Sequence, residues 1–309
     1  MKRILVAFDD SPGADAAMRD LAGAGLPQLC EAKVLTIADV WLPPDASAPA
    51  PDRVTTTRGE MRQRALDALT AAREISVRGA ERLRTFFPSW NIEHAACADS
   101  PAWAILAQAR KWPADLIVIG SHGRSPLQKF FLGSVSYKVA AEAVCSVRVF
   151  KARHREQGQG VRVLVAVDGS SDSERAIEEV LARKWPVDSK FQLVTVLDHR
   201  LRFAALSSFS SASTERGPEE KLAGMLKDRA ELFVKRQFEV STQVLEGDPK
   251  AAILKQADAW EADGIFLGAR GLEHGDRLYL GTLASAILTR AHCTVEIVRP
   301  SPPRQSSAV

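Results

Sequence analysis

The chain lacks the signatures of several common protein classes. It has four cysteines, and no two of them form a CxxC pair, which favours reduced thiols in a cytosol over a disulfide framework or a zinc site. No apolar run reaches about 18 residues, and the chain opens on a strand pattern rather than a signal peptide. We therefore expect a cytoplasmic protein that spans no membrane.

Common signatures of nucleic-acid and phosphate binding are also missing. The formal net charge is +3, with Lys and Arg spread along the chain, so no basic tract predicts a nucleic-acid partner. Neither a GxxxxGK[ST] loop nor a GxGxxG loop after a strand occurs, and the six histidines show no HExxH spacing. If the chain binds phosphate, it uses another arrangement of residues.

One spacing of glycines occurs twice. Residues 120–134 read GSHGRSPLQKFFLGS, and residues 268–282 read GARGLEHGDRLYLGT. Glycines let the backbone turn with positive φ and approach a ligand closely. A Ser or Thr after the last glycine can begin a helix whose first N–H groups attract anions. The repeated spacing predicts one phosphate-binding loop in each half of the chain.

The two halves are repeats of each other. The offset from Gly120 to Gly268 is 268 − 120 = 148 residues, whereas the apolar runs that begin at Arg3 and Arg162 are 162 − 3 = 159 residues apart. The first half therefore holds 159 − 148 = 11 additional residues. We expect them in a loop around positions 41–62, which are rich in Pro, Ala and Thr. A period this long indicates duplicated domains.

Each half alternates short apolar strands with helices. The expected strands are 3–8, 33–38, 92–96, 116–119, 147–150, 161–167, 192–196, 241–245, 265–267 and 295–298. The expected helices are one that starts at Ser11-Pro12 and ends near Gly23, then 58–87, 101–111, 134–143, 171–183, 218–237, 249–260 and 282–290. This alternation predicts an α/β fold of two tandem doubly wound domains, residues 1–151 and 160–300, each with a five-stranded parallel sheet.

The expected binding site lies where the winding of each sheet reverses, beyond the carboxyl ends of the strands. The first and fourth strands should be neighbours there, which places Asp9 near Gly120 and Asp168 near Gly268. A carboxylate can accept a hydrogen bond from an adenine amino group or a ribose hydroxyl, and the glycine loop offers N–H groups to phosphates. Two structural interpretations stay open. The glycines allow close helix packing, and the aspartates cap the following helices.

These residues resemble the universal stress protein family, whose adenine-nucleotide motif G-x2-G-x9-G-[S/T] is matched in both halves. The segments 167–170 (VDGS) and 247–249 (GDP) also fit the family pattern, whereas Asp10 and Asp99 replace its glycines in the first half. The resemblance covers nearly the whole chain in a tandem arrangement. It implies the Rossmann-like fold of the adenine nucleotide alpha hydrolases.

The resemblance also implies an adenine-nucleotide site in each half, holding ATP with or without Mg²⁺. In the first half the implied residues are Asp9, Ile37, Gly120, His122, Gly123, Gly133, Ser134 and Val135. In the second half they are Asp168, Val196, Gly268, Arg270, Gly271, Gly281, Thr282 and Leu283. The first loop carries Arg124 and Lys129, whereas the second carries Arg277 but also Glu273 and Asp276. We therefore expect tighter ATP binding in the first half, with the Asp10 carboxylate as a smaller effect against it.

Three functions fit this resemblance. The first is a nucleotide-binding protein of stress response or regulation. The second is a slow ATPase or autophosphorylating enzyme, with Ser134 or Thr282 as the first candidate acceptors. No general base or Mg²⁺-binding carboxylate set stands out, so we expect no fast turnover and assign no catalytic residue or metal ligand. The third is an interaction scaffold with empty sites. Strands 147–150 and 295–298 would pair within one chain, and a homodimer of tandem chains stays open.

Overall fold

The computed structural model describes residues 1–41, 52–121, 132–151, 160–198, 217–271 and 280–301, and only the backbone of residues 52–58. In the first half the elements are β1 (Lys2–Ala7), α1 (Pro12–Ala22), β2 (Cys30–Ala38), α2 (Asp52–Phe86), β3 (Asn91–Ala98), α3 (Pro101–Lys111), β4 (Leu116–Gly120), α4 (Ser134–Glu142) and β5 (Ser146–Phe150). In the second half they are β6 (Arg162–Ala166), α5 (Ser171–Leu181), β7 (Lys190–Leu197), α6 (Pro218–Lys235), β8 (Glu239–Glu246), α7 (Pro249–Ala259), β9 (Gly264–Gly268), α8 (Thr282–Arg290) and β10 (Thr294–Val298).

The alternation of strands and helices is as predicted, and one loop prediction is partly wrong. Helix α2 already begins at Asp52, so positions 52–62 are helical, while 42–51 lie outside the described residues. The segment in which the additional residues were expected is therefore helical from Asp52 onward. Across the described ranges, no helix is both long and apolar enough to cross a membrane.

All ten strands form one sheet in the order β3-β2-β1-β4-β5-β10-β9-β6-β7-β8. Within each half the five strands are parallel, as predicted. The halves meet at β5 and β10, which pair antiparallel with Val147 opposite Ile297 and Val149 opposite Val295. The expected pairing of the last strands within one chain is confirmed. It gives each half the neighbour that covers its edge.

Helices cover both faces of the sheet. On one face α3 and α4 of the first half and α7 and α8 of the second half share a continuous core with all the central strands. On the other face each half has its own core, under α1 and α2 in the first half and under α5 and α6 in the second. The doubly wound arrangement leaves the carboxyl end of each sheet half available for a site.

The seam between the halves, formed by β5 and β10, has a charged centre on the face covered by α1 and α5. Six side chains of alternating charge touch one another in the order Asp20, Arg148, Glu296, Arg183, Glu179 and Lys2. Arg148 lies 2.7 Å from Asp20 and 3.0 Å from Glu296, and Glu296 is fully buried. Burial alone would lower the pKa of Arg148, but Asp20 and Glu296 raise it above its ordinary value. This cluster joins the halves by charge as well as by strand pairing.

Candidate functional site

The winding of the first half reverses between β1 and β4. Strand β1 pairs in parallel with β2 on one side and with β4 on the other. Asp9 follows β1 and Gly120 ends β4, so the first and fourth strands are neighbours, as predicted. The same arrangement holds in the second half, where β6 pairs with β7 and β9. Both predicted loops therefore start at a reversal point of the sheet.

A cavity of about 660 Å³ opens at this point of the first half. Six of the predicted residues line it, namely Asp9, Ile37, Gly120, Gly133, Ser134 and Val135. Ligand pockets in proteins span about 300–1,000 Å³ and combine an apolar wall with a few polar groups. The cavity therefore has the size and lining of a small-molecule site.

The phosphate end predicted for this cavity coincides with the start of α4. Gly133 precedes the helix, and no side chain caps it. Gly133 and the first residues of α4 line the cavity, and the Ser134 side chain is exposed there. The first N–H groups of an uncapped helix carry partial positive charge and bind anions well. The hydroxyl of buried Ser136 donates to the carbonyl of Gly120 at 2.7 Å and ties the helix to the end of β4.

Asp9 has both a structural position and access to the cavity. Its carboxylate accepts the backbone N–H of Ser11 at 3.1 Å, and the Ser11 hydroxyl in turn caps α1 by accepting from Ala14 at 3.2 Å. Ser11 rather than Asp9 is therefore the N-cap of α1, and the aspartate shapes the turn before the helix. Since the half-buried Asp9 also borders the cavity, the two roles are compatible.

Asp10 does not oppose an anion in the way expected from the sequence. Its carboxylate lies 2.9 Å from Arg78 and 3.6 Å from Arg82, both on α2. Two cations therefore balance the charge that counted against the first site. Asp10 also has φ +62°, where the equivalent residue of the second half is Gly169 with φ +79°. Asp tolerates this left-handed conformation better than most residues.

The first glycine of each loop serves helix packing. A Cβ on Gly120 would lie 3.2 Å from backbone atoms of Gly13, and a Cβ on Gly268 would lie 2.6 Å from the Cβ of Asp172. The close approach of α1 to β4, and of α5 to β9, needs a residue without a side chain. The packing interpretation of these two glycines is correct, and it places them at the sites without excluding a ligand.

One wall of the cavity escaped sequence reasoning. Helix α2 contributes Ala68, Ala71, Ala72 and Ile75, and α3 contributes Pro101 and Ile105. The small residues of α2 recur at helical spacing, which places them on one face. That spacing is the signal that could have identified the wall.

The second half arranges its predicted residues differently. Arg270 donates from Nε to the carboxylate of Asp172 at 3.2 Å, and Asp172 also accepts from Arg175 at 2.7 Å. A Cβ on Gly271 would lie 2.7 Å from Oδ2 of Asp168, so the loop backbone approaches that carboxylate. Gly281 and Thr282 begin α8 as their counterparts begin α4, with no side-chain cap. Val196 and Leu283 pack against the shared core.

Several predicted features fall outside the described residues. These are His122 and Gly123 and the loop charges Arg124, Lys129, Glu273, Asp276 and Arg277. The expected ranking of the two sites by loop charge therefore stays a prediction. Among the residues that the structure describes, no group of three or more His, Cys, Asp or Glu side chains is arranged to hold a metal ion.

Together, these features define a tandem doubly wound α/β protein with a cavity at a reversal point of its sheet. The sequence model of the universal stress protein family matches residues 1–151 and 161–299. A Staphylococcus aureus protein that carries the family name is 31% identical over 141 residues, which are 44% of this chain and 82% of that protein. The chain belongs to the universal stress protein family.

Solved structures show the same fold over nearly the whole chain. A universal stress protein from Archaeoglobus fulgidus matches with a TM-score of 0.57 at 20% identity, covering 97% of this chain and 96% of its own. A Pseudomonas aeruginosa protein with the family name matches with a TM-score of 0.59 at 15% identity, covering 97% and 94%. At these identities the likeness establishes the fold, including its tandem arrangement.

Proposed function

We propose that this protein binds an adenine nucleotide, with ATP as the first candidate, in the cavity of its first half. The nucleotide would lie with adenosine near Asp9 and Ile37 and with its phosphates at the start of α4. Occupancy would serve stress response or regulation in the cytoplasm rather than rapid turnover. Residues 1–151 and 160–300 would act as two domains of one unit.

The observation that carries this proposal is that the first residues of α4 line the cavity. The lining of the cavity of about 660 Å³ combines mostly apolar side chains with the uncapped start of α4. An adenosine phosphate has the matching division into a flat ring system and an anionic tail. Backbone N–H groups would bind the anion with no need for a basic side chain.

The sharpest test places a negative charge at the phosphate end. Ser134→Glu puts a carboxylate at the first residue of α4, where it also interacts favourably with the helix dipole, so folding should be retained. We expect titration calorimetry of the native chain to show ATP binding and the variant to bind at least about tenfold more weakly, or about 1.4 kcal/mol.

A matched control exists in the second half. Ser171 is the exposed first residue of α5 and directly follows the N-cap residue Ser170, as Ser134 follows the N-cap residue Gly133. Ser171→Glu should leave ATP binding by the first cavity unchanged, because it changes the same helix position away from that cavity. Native protein that binds no adenine nucleotide, or equal affinities in Ser134→Glu and native protein, would refute the proposal.

The pairing of the halves also bears on assembly. Because β5 and β10 already cover each other, we propose that the tandem chain forms the pair that other proteins would build from two subunits. Light scattering of the full chain distinguishes this intrachain pair from a homodimer. A mass near 33.6 kDa supports the intrachain pair alone.

A further inference from the structure

The two halves differ by one side chain at the base of their loops. The first helix of each half starts with a serine cap, since Ser11 accepts the N–H of Ala14 and Ser170 accepts the N–H of Ser173, both at 3.2 Å. The caps are 170 − 11 = 159 residues apart, which is the offset of the first strands. Two residues beyond the cap, the first half has Gly13 and the second has Asp172.

Asp172 lies against the glycine that starts the second loop. Its Cβ would be 2.6 Å from a Cβ on Gly268, whereas a Cβ on Gly120 would meet only the backbone of Gly13 and the next residue. The Asp172 side chain is only 6% exposed. A carboxylate therefore lies at the base of the second loop, at the position where the first half has Gly13.

This carboxylate is bound to Arg270, one of the loop's two arginines. Arg270 follows the end of β9 at the position of His122 in the first half, by the 148-residue offset. Its Nε donates to Oδ2 of Asp172 at 3.2 Å, and Arg175 donates to Oδ1 at 2.7 Å. The carboxylate of Asp172 thus binds Arg270, which the family resemblance assigns to the phosphates.

In the second site, the loop backbone also comes close to Asp168. The backbone at Gly271 lies so close to Asp168 that a Cβ there would be 2.7 Å from Oδ2. Asp168 is the residue expected to contact adenosine. In the first half, the corresponding Asp9 borders the open cavity. In the second site, the loop backbone therefore lies against Asp168 and Arg270 is bound by Asp172.

We infer that Asp172 closes the second half to nucleotides by holding Arg270 in place of a phosphate, so that each chain binds one adenine nucleotide. This inference rests on the proposed function. Asp172 is thus the residue that determines how many nucleotides the tandem chain takes. Its removal converts the second half to the arrangement that Gly13 provides in the first.

The test is photolabelling of the full chain with 8-azido-ATP, followed by peptide mapping, with ATP stoichiometry from equilibrium dialysis. In the native chain, label is expected in first-half peptides and one ATP per chain. Asp172→Asn keeps the side-chain shape, and Asp172→Gly reproduces Gly13. Both variants should gain second-half label and a second ATP, with second-site affinity raised at least about tenfold.

Two further variants sharpen the test. Asp248 caps α7 in the second half by accepting the N–H of Ala251 at 3.0 Å. Asp248→Asn therefore removes a helix-start carboxylate away from the loop, and it should leave the stoichiometry at one. Arg270→Ala in the Asp172→Asn background should lose the second site again, because the freed arginine is what binds the phosphates.

The outcomes separate this inference from the proposed function. Second-half label in the native chain, or its absence in both folded Asp172 variants, overturns the inference. Missing first-half label overturns the proposed function instead. Gain of second-half label in the variants would still support the role of Asp172 in that case. Circular dichroism of each variant confirms that the fold is retained.

Discussion

Removal of the buried carboxylate of Glu296 should destabilise the whole chain. The charged cluster at the seam contains three acids and three bases, and Glu296 lies between Arg148 and Arg183 with no exposed surface. Glu296→Gln leaves a net positive charge in a buried cluster and two guanidinium groups facing one amide. Breaking one partner of a buried ion pair costs about 3–5 kcal/mol.

That loss is large enough to measure by thermal or urea unfolding of the full chain. At about 2–4 °C per kcal/mol, the midpoint should fall by about 6–20 °C. A matched exposed pair provides the control. Lys190 and Glu239 also lie opposite each other on neighbouring strands, 2.8 Å apart, with side chains 46% and 66% exposed. Glu239→Gln should cost less than about 1 kcal/mol.

A double variant separates an unpaired charge from lost packing. Arg148→Met with Glu296→Leu removes one base and one acid, so the cluster stays neutral. Apolar replacement of a whole buried pair is often neutral or stabilising, so this variant should be more stable than Glu296→Gln. If Glu296→Gln costs less than about 1 kcal/mol, or the double variant is the less stable of the two, the electrostatic account of the seam is wrong.

Three smaller predictions concern buried groups. Burial lowers the pKa of Lys151 to about 8; because an unfolded lysine titrates near about 10.4, the unfolded chain binds more protons between these values. Lys151 should therefore contribute a rise in stability from about pH 8 to about pH 10. Urea unfolding should measure this contribution as a more positive slope of stability against pH in the native chain than in Lys151→Met, and equal slopes would contradict it. Burial raises the pKa of Cys30 to about 11 and of Cys145 to about 12, so a thiol reagent at neutral pH should modify half-buried Cys97 before these two, and faster labelling of Cys30 or Cys145 would argue against this order. Gly25 has φ +66°, and a Cβ there would lie 3.0 Å from Trp185, so Gly25→Ala should destabilise the chain by more than about 1 kcal/mol in urea, and a neutral result would contradict the tight contact.

The sequence predicted the architecture because the relevant patterns are local. Short apolar runs followed by helix starts determine the order of strands and helices, and the glycine spacing marks the ends of β4 and β9. The neighbouring positions of β1 and β4 followed from the rules of doubly wound sheets. Boundaries were less certain where a helix continues through a Pro- and Ala-rich segment, as at the start of α2.

The details of the sites depend on contacts between distant residues, which local patterns do not show. From the sequence, the Asp10 carboxylate is expected to weaken anion binding in the first half. The structure pairs it with Arg78, which lies 68 residues later in the chain. Asp172 is an acid in the first turn of a helix, a common arrangement that by itself predicts no binding site. Only the packing of α5 against Gly268, and the reach of Arg270 from 98 residues away, reveal its place at the loop.

The central claim is that the cavity at the reversal point of the first half holds an adenine nucleotide. A crystal structure of the full chain grown with ATP tests it most directly. We predict adenosine beside Asp9 and Ile37 and phosphates at Gly133 and Ser134. A nucleotide bound elsewhere, or a cavity filled by the protein's own side chains, would contradict the account.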